Sequence, residues 1–160
     1  MSAFEVANTS GIRRVRNQAG FTLIELLTVV VVMGGLAAVA TGKTRMAIDQ
    51  AKMAKAIGDI RAMSAEVQGY QAAANGLPAS LADIDRSGLV DPWGQPDVYV
   101  NFTLGGTPRT DVFGVDLNTE YDIYSIGPDG ASSLSLGAGA SQDDIVRASD
   151  GGYIGRGSRY

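Results

Sequence analysis

One charged residue interrupts the most apolar stretch of this chain, and that pairing constrains the fold more than anything else in it. From Asn17 to Gly42 the only ionisable side chain is Glu25, while Arg13, Arg14 and Arg16 stand just upstream. Residues 21–42 would run about 33 Å as a helix, enough to cross a bilayer core. The run Val29-Val30-Val31-Val32 is β-branched, yet in lipid a single segment satisfies its own backbone only as a helix. A carboxylate inside such a span is expensive and by default marks function, which raises the question of its partner. The arginines read as positive-inside residues that keep this end cytoplasmic. Two plainer readings compete. The segment could be a simple anchor, with Glu25 snorkelling toward the membrane edge. It could also be a cleavable secretory signal, since Ala38-Val39-Ala40 has the small-x-small form of a signal-peptidase site. Glu25 inside the apolar region weighs against the signal.

The rest of the chain reads as one small domain. Over residues 43–74 Met46, Met53, Ile60, Val67 and Ala74 recur every seven positions, with Ile57, Met63 and Tyr70 on the adjoining face. That spacing predicts an amphipathic helix whose stripe packs on a core. Asn75-Gly76 offers a left-handed C-cap and Pro78 a stop. Ser80-Leu81-Ala82-Asp83 has the capping-box spacing and predicts a short helix over 81–85. Asp91-Pro92-Trp93-Gly94 marks a turn that presents the single tryptophan. Strands are predicted at 98–104, 110–115 and 121–126, separated by Gly, Pro or Asn. From Gly127 onward the reading is loop, and residues 151–160 are glycine-rich and read as a flexible tail.

Composition removes several functions. With no cysteine and no histidine, the chain lacks disulfides, thiolate nucleophiles, the commonest general base and the commonest metal ligand. Residues 62–160 carry five basic and thirteen acidic side chains, a net −8, which argues against a nucleic-acid grip and suits a cation. Asp83, Asp85, Asp91 and Asp97 read as solvated turn residues rather than as a paired-carboxylate hydrolase site. The Ser/Gly/Ala-rich stretch between Gly127 and Ser141 offers little apolar surface with which to order itself, so a metal clip is the staple left to it. From spacing alone, aspartates that hydrogen-bond locally in an ion-free loop are the simpler reading.

Gly20-Phe21-Thr22-Leu23-Ile24-Glu25, behind a basic leader and ahead of an apolar run, resembles the processing motif of type IV prepilins and pseudopilins. Two further stretches narrow the likeness: Asp91-Pro92-Trp93-Gly94, and 121–130 followed by Asp143-Asp144-Ile145. These are similar to the major pseudopilins of type II secretion systems. The resemblance implies that prepilin peptidase cuts between Gly20 and Phe21 and methylates the new amine. It implies that Glu25 neutralises that amine on a neighbouring subunit during assembly. It also implies a calcium ion held by the Ile126 carbonyl and the carboxylates of Asp129, Asp143 and Asp144. The loop before Asp143 is longer than the family's usual one, and Gly42 stands where the family usually has proline.

The expected architecture is α+β: a long N-terminal helix, hydrophobic then amphipathic, packed on a small antiparallel sheet, with a calcium-stapled C-terminal loop. Its expected parts are a leader (1–20), a transmembrane and assembly helix (21–42), a periplasmic domain (43–150) and the tail (151–160). The expected role is a non-enzymatic subunit of a self-assembled helical filament in the type II secretion pseudopilus. The implied partners are minor pseudopilins, prepilin peptidase and the inner-membrane secretion platform, with no nucleic acid. The chain would cross the bacterial inner membrane once, with its C-terminal domain in the periplasm. Alternatives are a type IV pilin subunit for adhesion, motility or DNA uptake, and a secreted calcium-binding domain cut after Ala40.

Overall fold

The computed structural model describes residues 20–160. The leader expectation, apart from Gly20, lies outside the described residues, as do Arg13, Arg14 and Arg16. The chain divides into two compact units, Met1–Gly42 and Lys43–Tyr160. Helix α1, Leu23–Ala74, supplies most of the described first unit and opens the second.

In the first unit the helix starts behind Thr22. Its apolar side chains stay uncovered: Leu23, Ile24, Leu26, Leu27, the four valines, Met33 and Leu36 are all exposed. Among the described residues no helix is long and apolar enough to cross a membrane.

In the second unit the helix is amphipathic, as its period predicts. Ala56, Ile60, Met63 and Val67 lie on one face and are buried, with Met53 and Ile57 beside them. The stripe packs only along its middle, since Met46 remains exposed. Asn75 takes the left-handed conformation that ends the helix, at φ 55°. The buried Pro78 then offers its carbonyl to Tyr99 Oη at 3.0 Å and Asn101 Nδ2 at 2.9 Å. Ser80 and Asp83 form the predicted capping box around one 3-10 turn, Leu81–Ile84.

Four strands follow: β1 (Val98–Asn101), β2 (Tyr121–Ser125), β3 (Ile145–Ala148) and β4 (Tyr153–Arg156). They pair antiparallel in chain order, with Tyr99 opposite Ile123, Ser125 opposite Ile145 and Arg147 opposite Ile154. Side-chain alternation sends Tyr121, Ile123 and Ile145 toward the helix. It sends Tyr124, Val146 and Ala148 to the opposite face, where Leu117 and Leu136 cover them. The sheet is therefore roofed by a helix on one side and by two loop segments on the other, and β3 is buried throughout.

Four expectations are corrected. Residues 110–115 are no strand: the Asp111 carboxylate captures the Phe113 and Val115 amides, both at 2.8 Å, and folds the segment into a turn. The 98–104 strand ends at Asn101, whose side chain accepts from the Thr103 amide at 2.9 Å and starts a 3-10 turn. The chain from Gly127 onward, read as loop, contains β3, and the 151–160 segment, read as a flexible tail, contains β4. Pairing along the free edge of β3 orders it, and the glycines permit a close approach. A Cβ on the buried Gly157 would stand 2.5 Å from the Ser141 carbonyl oxygen.

Candidate functional site

The N-terminal candidates sit together at the start of α1. Phe21 is exposed immediately before Thr22, which occupies the N-cap position. Glu25 Oε2 accepts from the Thr22 amide and hydroxyl, each at 3.4 Å, while the Glu25 amide donates to Thr22 Oγ1 at 3.3 Å. This reciprocal exchange is a capping box. Within one subunit, then, the carboxylate is not without a partner: it caps its own helix and complements the positive end of the helix dipole. The bonds are long, near the weak end of the range. Thr22 was missed as a participant, although the T-x-x-E spacing is plain in the sequence.

The C-terminal candidates are dispersed. Asp144 is fully buried on the loop-covered side of the sheet, where its Oδ2 accepts from Arg109 Nη2 and from Ser132 Oγ, each at 2.6 Å. Burial pushes its carboxyl up, against the pull of Ser132 and Arg109. Asp129 is exposed and its Oδ1 accepts from the Ala131 amide at 2.9 Å, closing its own turn. Asp143 accepts from the Asp129 amide at 3.3 Å and lines a cleft of about 250 Å³ with Asp49, Met53, Trp93 and Arg156. Ile126 leads into Gly127, at φ +71°, where a Cβ would stand 2.8 Å from the Asp143 carbonyl oxygen. The loop and Asp143 thus touch, but the three carboxylates do not converge. Among the described residues no three acidic side chains are gathered where they could hold a metal. As placed, this donor set does not fit a calcium cage.

Nor is the loop short of other staples. Leu136 is buried, the Thr110 amide donates to the Leu134 carbonyl, and the Leu136 amide donates to the Thr110 carbonyl, both at 2.9 Å. Ser141 Oγ donates to the Ser133 carbonyl at 3.0 Å and accepts from the Ser133 amide at 2.9 Å. The stretch that offers little apolar surface of its own is thus tied down by one leucine and a neighbouring segment.

Two buried arginines escaped the sequence reading. Arg147 projects from β3 toward the helix, where its Nε donates to Ser64 Oγ at 3.1 Å and its Nη1 to Asn118 Oδ1 at 2.9 Å. It also lies 4.1 Å from the centre of the Tyr121 ring. Arg109 holds the other face, its guanidinium 4.2 Å above the Tyr124 ring. Nothing local in the sequence signals either one.

A family model described as the prokaryotic N-terminal methylation motif matches residues 15–41. The chain is similar to type II secretion system core protein G of Pseudomonas aeruginosa, 32% identical over 136 aligned residues, covering 72% of this chain and 87% of that protein. It is similar to core protein G of Escherichia coli, at 28% over 155 residues and 84% and 93% of the two chains. Core protein G of Xanthomonas campestris is 27% identical over 135 residues, covering 81% and 89%. No solved structure matches at comparable significance. With the α+β architecture, the methylation motif and this likeness over most of its length, the chain belongs to the type II secretion system core protein G family.

Proposed function

We infer that this chain is the major structural subunit of a type II secretion pseudopilus, a non-enzymatic protein that polymerises through its N-terminal helix to drive protein export. The observation that carries this reading is the apolar face without a cover. From Phe21 to Leu36 the large side chains of the first unit are exposed, a patch that soluble monomers do not leave open. Lipid covers it before assembly, and neighbouring subunits cover it afterwards. Prepilin peptidase releases Phe21 and methylates its amine. The subunit then waits in the inner membrane with its C-terminal domain in the periplasm, and it is drawn into the filament with minor pseudopilins at the secretion platform.

Glu25 selects the register. On assembly it exchanges the long bonds to Thr22 for the cationic amine of a neighbouring Phe21. Desolvating both charges offsets much of their attraction, so the pair contributes alignment more than affinity. Mass spectrometry of the mature chain tests the processing: an N-methylated Phe21 is expected, and a mature chain starting at Thr41 would refute the reading. Glu25→Ala is expected to stay in the membrane but to lose cross-linked multimers and export. Normal multimers in that variant would exclude the pairing.

A further inference from the structure

We propose that Arg109 is the resident cation of the C-terminal loop, holding the buried Asp144 carboxylate in the role that a calcium ion would otherwise take. The two side chains are 1% and 0% exposed and meet at 2.6 Å. Ser132, from the loop itself, shares the same carboxylate oxygen. Arg109 is tied in from both ends. Its amide donates to Asp122 Oδ2 at 2.7 Å, and its guanidinium rests on the Tyr124 ring. The next residue, Thr110, bridges to Ser135 of the loop. One positive charge therefore joins three separate segments: the chain before the Asp111 turn, the loop at Ser132, and the start of β3.

Charge makes this arrangement exclusive. A divalent ion on the remaining Asp144 oxygen would stand a few ångströms from a guanidinium in a poorly screened interior, where like charges repel strongly. The other two carboxylates do not offset that repulsion, because Asp129 closes its own turn and Asp143 lines a different cleft. Asp144 Oδ1, Arg109 Nε and Arg109 Nη1 have no protein hydrogen bond. A buried pair with open valences adds little net stability, but breaking it strands a charge, and that loss is large.

Thermal unfolding of the full chain in detergent, with chelator and with about 10 mM calcium, tests the proposal. Extracellular modules bind calcium at roughly 10⁻⁴–10⁻³ M, so a real site would raise the midpoint by several degrees at that concentration. The proposal expects the same midpoint in both conditions, and a calcium-dependent rise would overturn it. Arg109→Met is expected to lower the midpoint by about 10 °C or more and to open the loop around residues 131–142 to protease. A native midpoint in that variant would also overturn it. Arg109→Met combined with Asp144→Leu removes both charges and should recover most of the loss. Additive losses would exclude the pairing.

Discussion

Two turns in this molecule are built from the same device and end in different places. In the first, Asp91 Oδ1 accepts from the Trp93 and Gln95 amides at 2.9 and 2.8 Å, the Asp91 amide donates to the Gln95 carbonyl, and Val90 bridges Pro96. In the second, Asp111 Oδ1 accepts from the Phe113 and Val115 amides, the Asp111 amide donates to the Val115 carbonyl, and Thr110 bridges Asp116. Each has an aromatic at the third position and a left-handed glycine at the fourth, Gly94 and Gly114. Yet Trp93 packs on the helix-side core, whereas Phe113 is 86% exposed. A turn is set by its own aspartate and glycine, while the fate of its aromatic depends on what the rest of the chain places beneath it.

The largest expected break in this symmetry is at the aromatics. Trp93→Ala should cost about 3 kcal/mol, from lost burial and the void left behind. Phe113→Ala should change the unfolding free energy, read from denaturant titration, by no more than about 0.5 kcal/mol, as an exposed substitution does. Equal losses at the two sites would show that Phe113 is covered in solution.

The aspartates come next. Asp91 is not the solvated residue its turn predicts: it is buried and also accepts from Ser125 Oγ at 2.6 Å, which ties its turn to the end of β2. Asp91→Ala should cost about 2 kcal/mol or more because it strands that hydroxyl and two amides. Asp111→Ala, at a turn whose amides reach water, should cost about 0.5–1 kcal/mol. Chemical denaturation of the two variants side by side measures the difference.

A smaller effect separates the turns by pH. Just past the first turn, burial and then the negative charges of Asp91 and Asp59 push the Asp97 carboxyl from its usual 3.8 up to about 6, with Lys55 pulling the other way. A carboxyl that holds its proton more tightly when folded stabilises the fold below about pH 4 and loses that contribution as pH rises through 6. Because Asp97 is partly exposed, screening reduces the effect to about 1 kcal/mol. Asp97→Asn should flatten that part of the stability profile, and an unchanged slope between pH 4 and 6.5 would exclude the assignment. No such step is expected from the second turn, since the residue in the corresponding place is the buried Leu117.

What could be read in advance follows the range of the interactions involved. The methylation motif around Gly20-Phe21, the carboxylate at Glu25 and the helix stripe around Ile60 and Val67 are carried by neighbours within two turns of chain. The Thr22 contribution to the cap was equally local and could have been read from its spacing. The C-terminal region was read poorly because its order comes from afar. Arg109 stands just ahead of the segment read as a strand, 110–115, and its partner is 35 positions away. Gly157, one of the glycines that made 151–160 look mobile, is what lets the chain just past β4 approach the Ser141 backbone.

By itself the sequence determined the helix, its apolar and amphipathic halves, the capping signals and the methylation motif, because each is a matter of period or of a few adjacent side chains. Tertiary structure alone decided which carboxylate is buried, which arginine answers it, and which of two equal turns sends its aromatic inward. Those outcomes depend on pairing segments that no local pattern brings together, and on burial, which makes an unpaired charge too costly to leave alone.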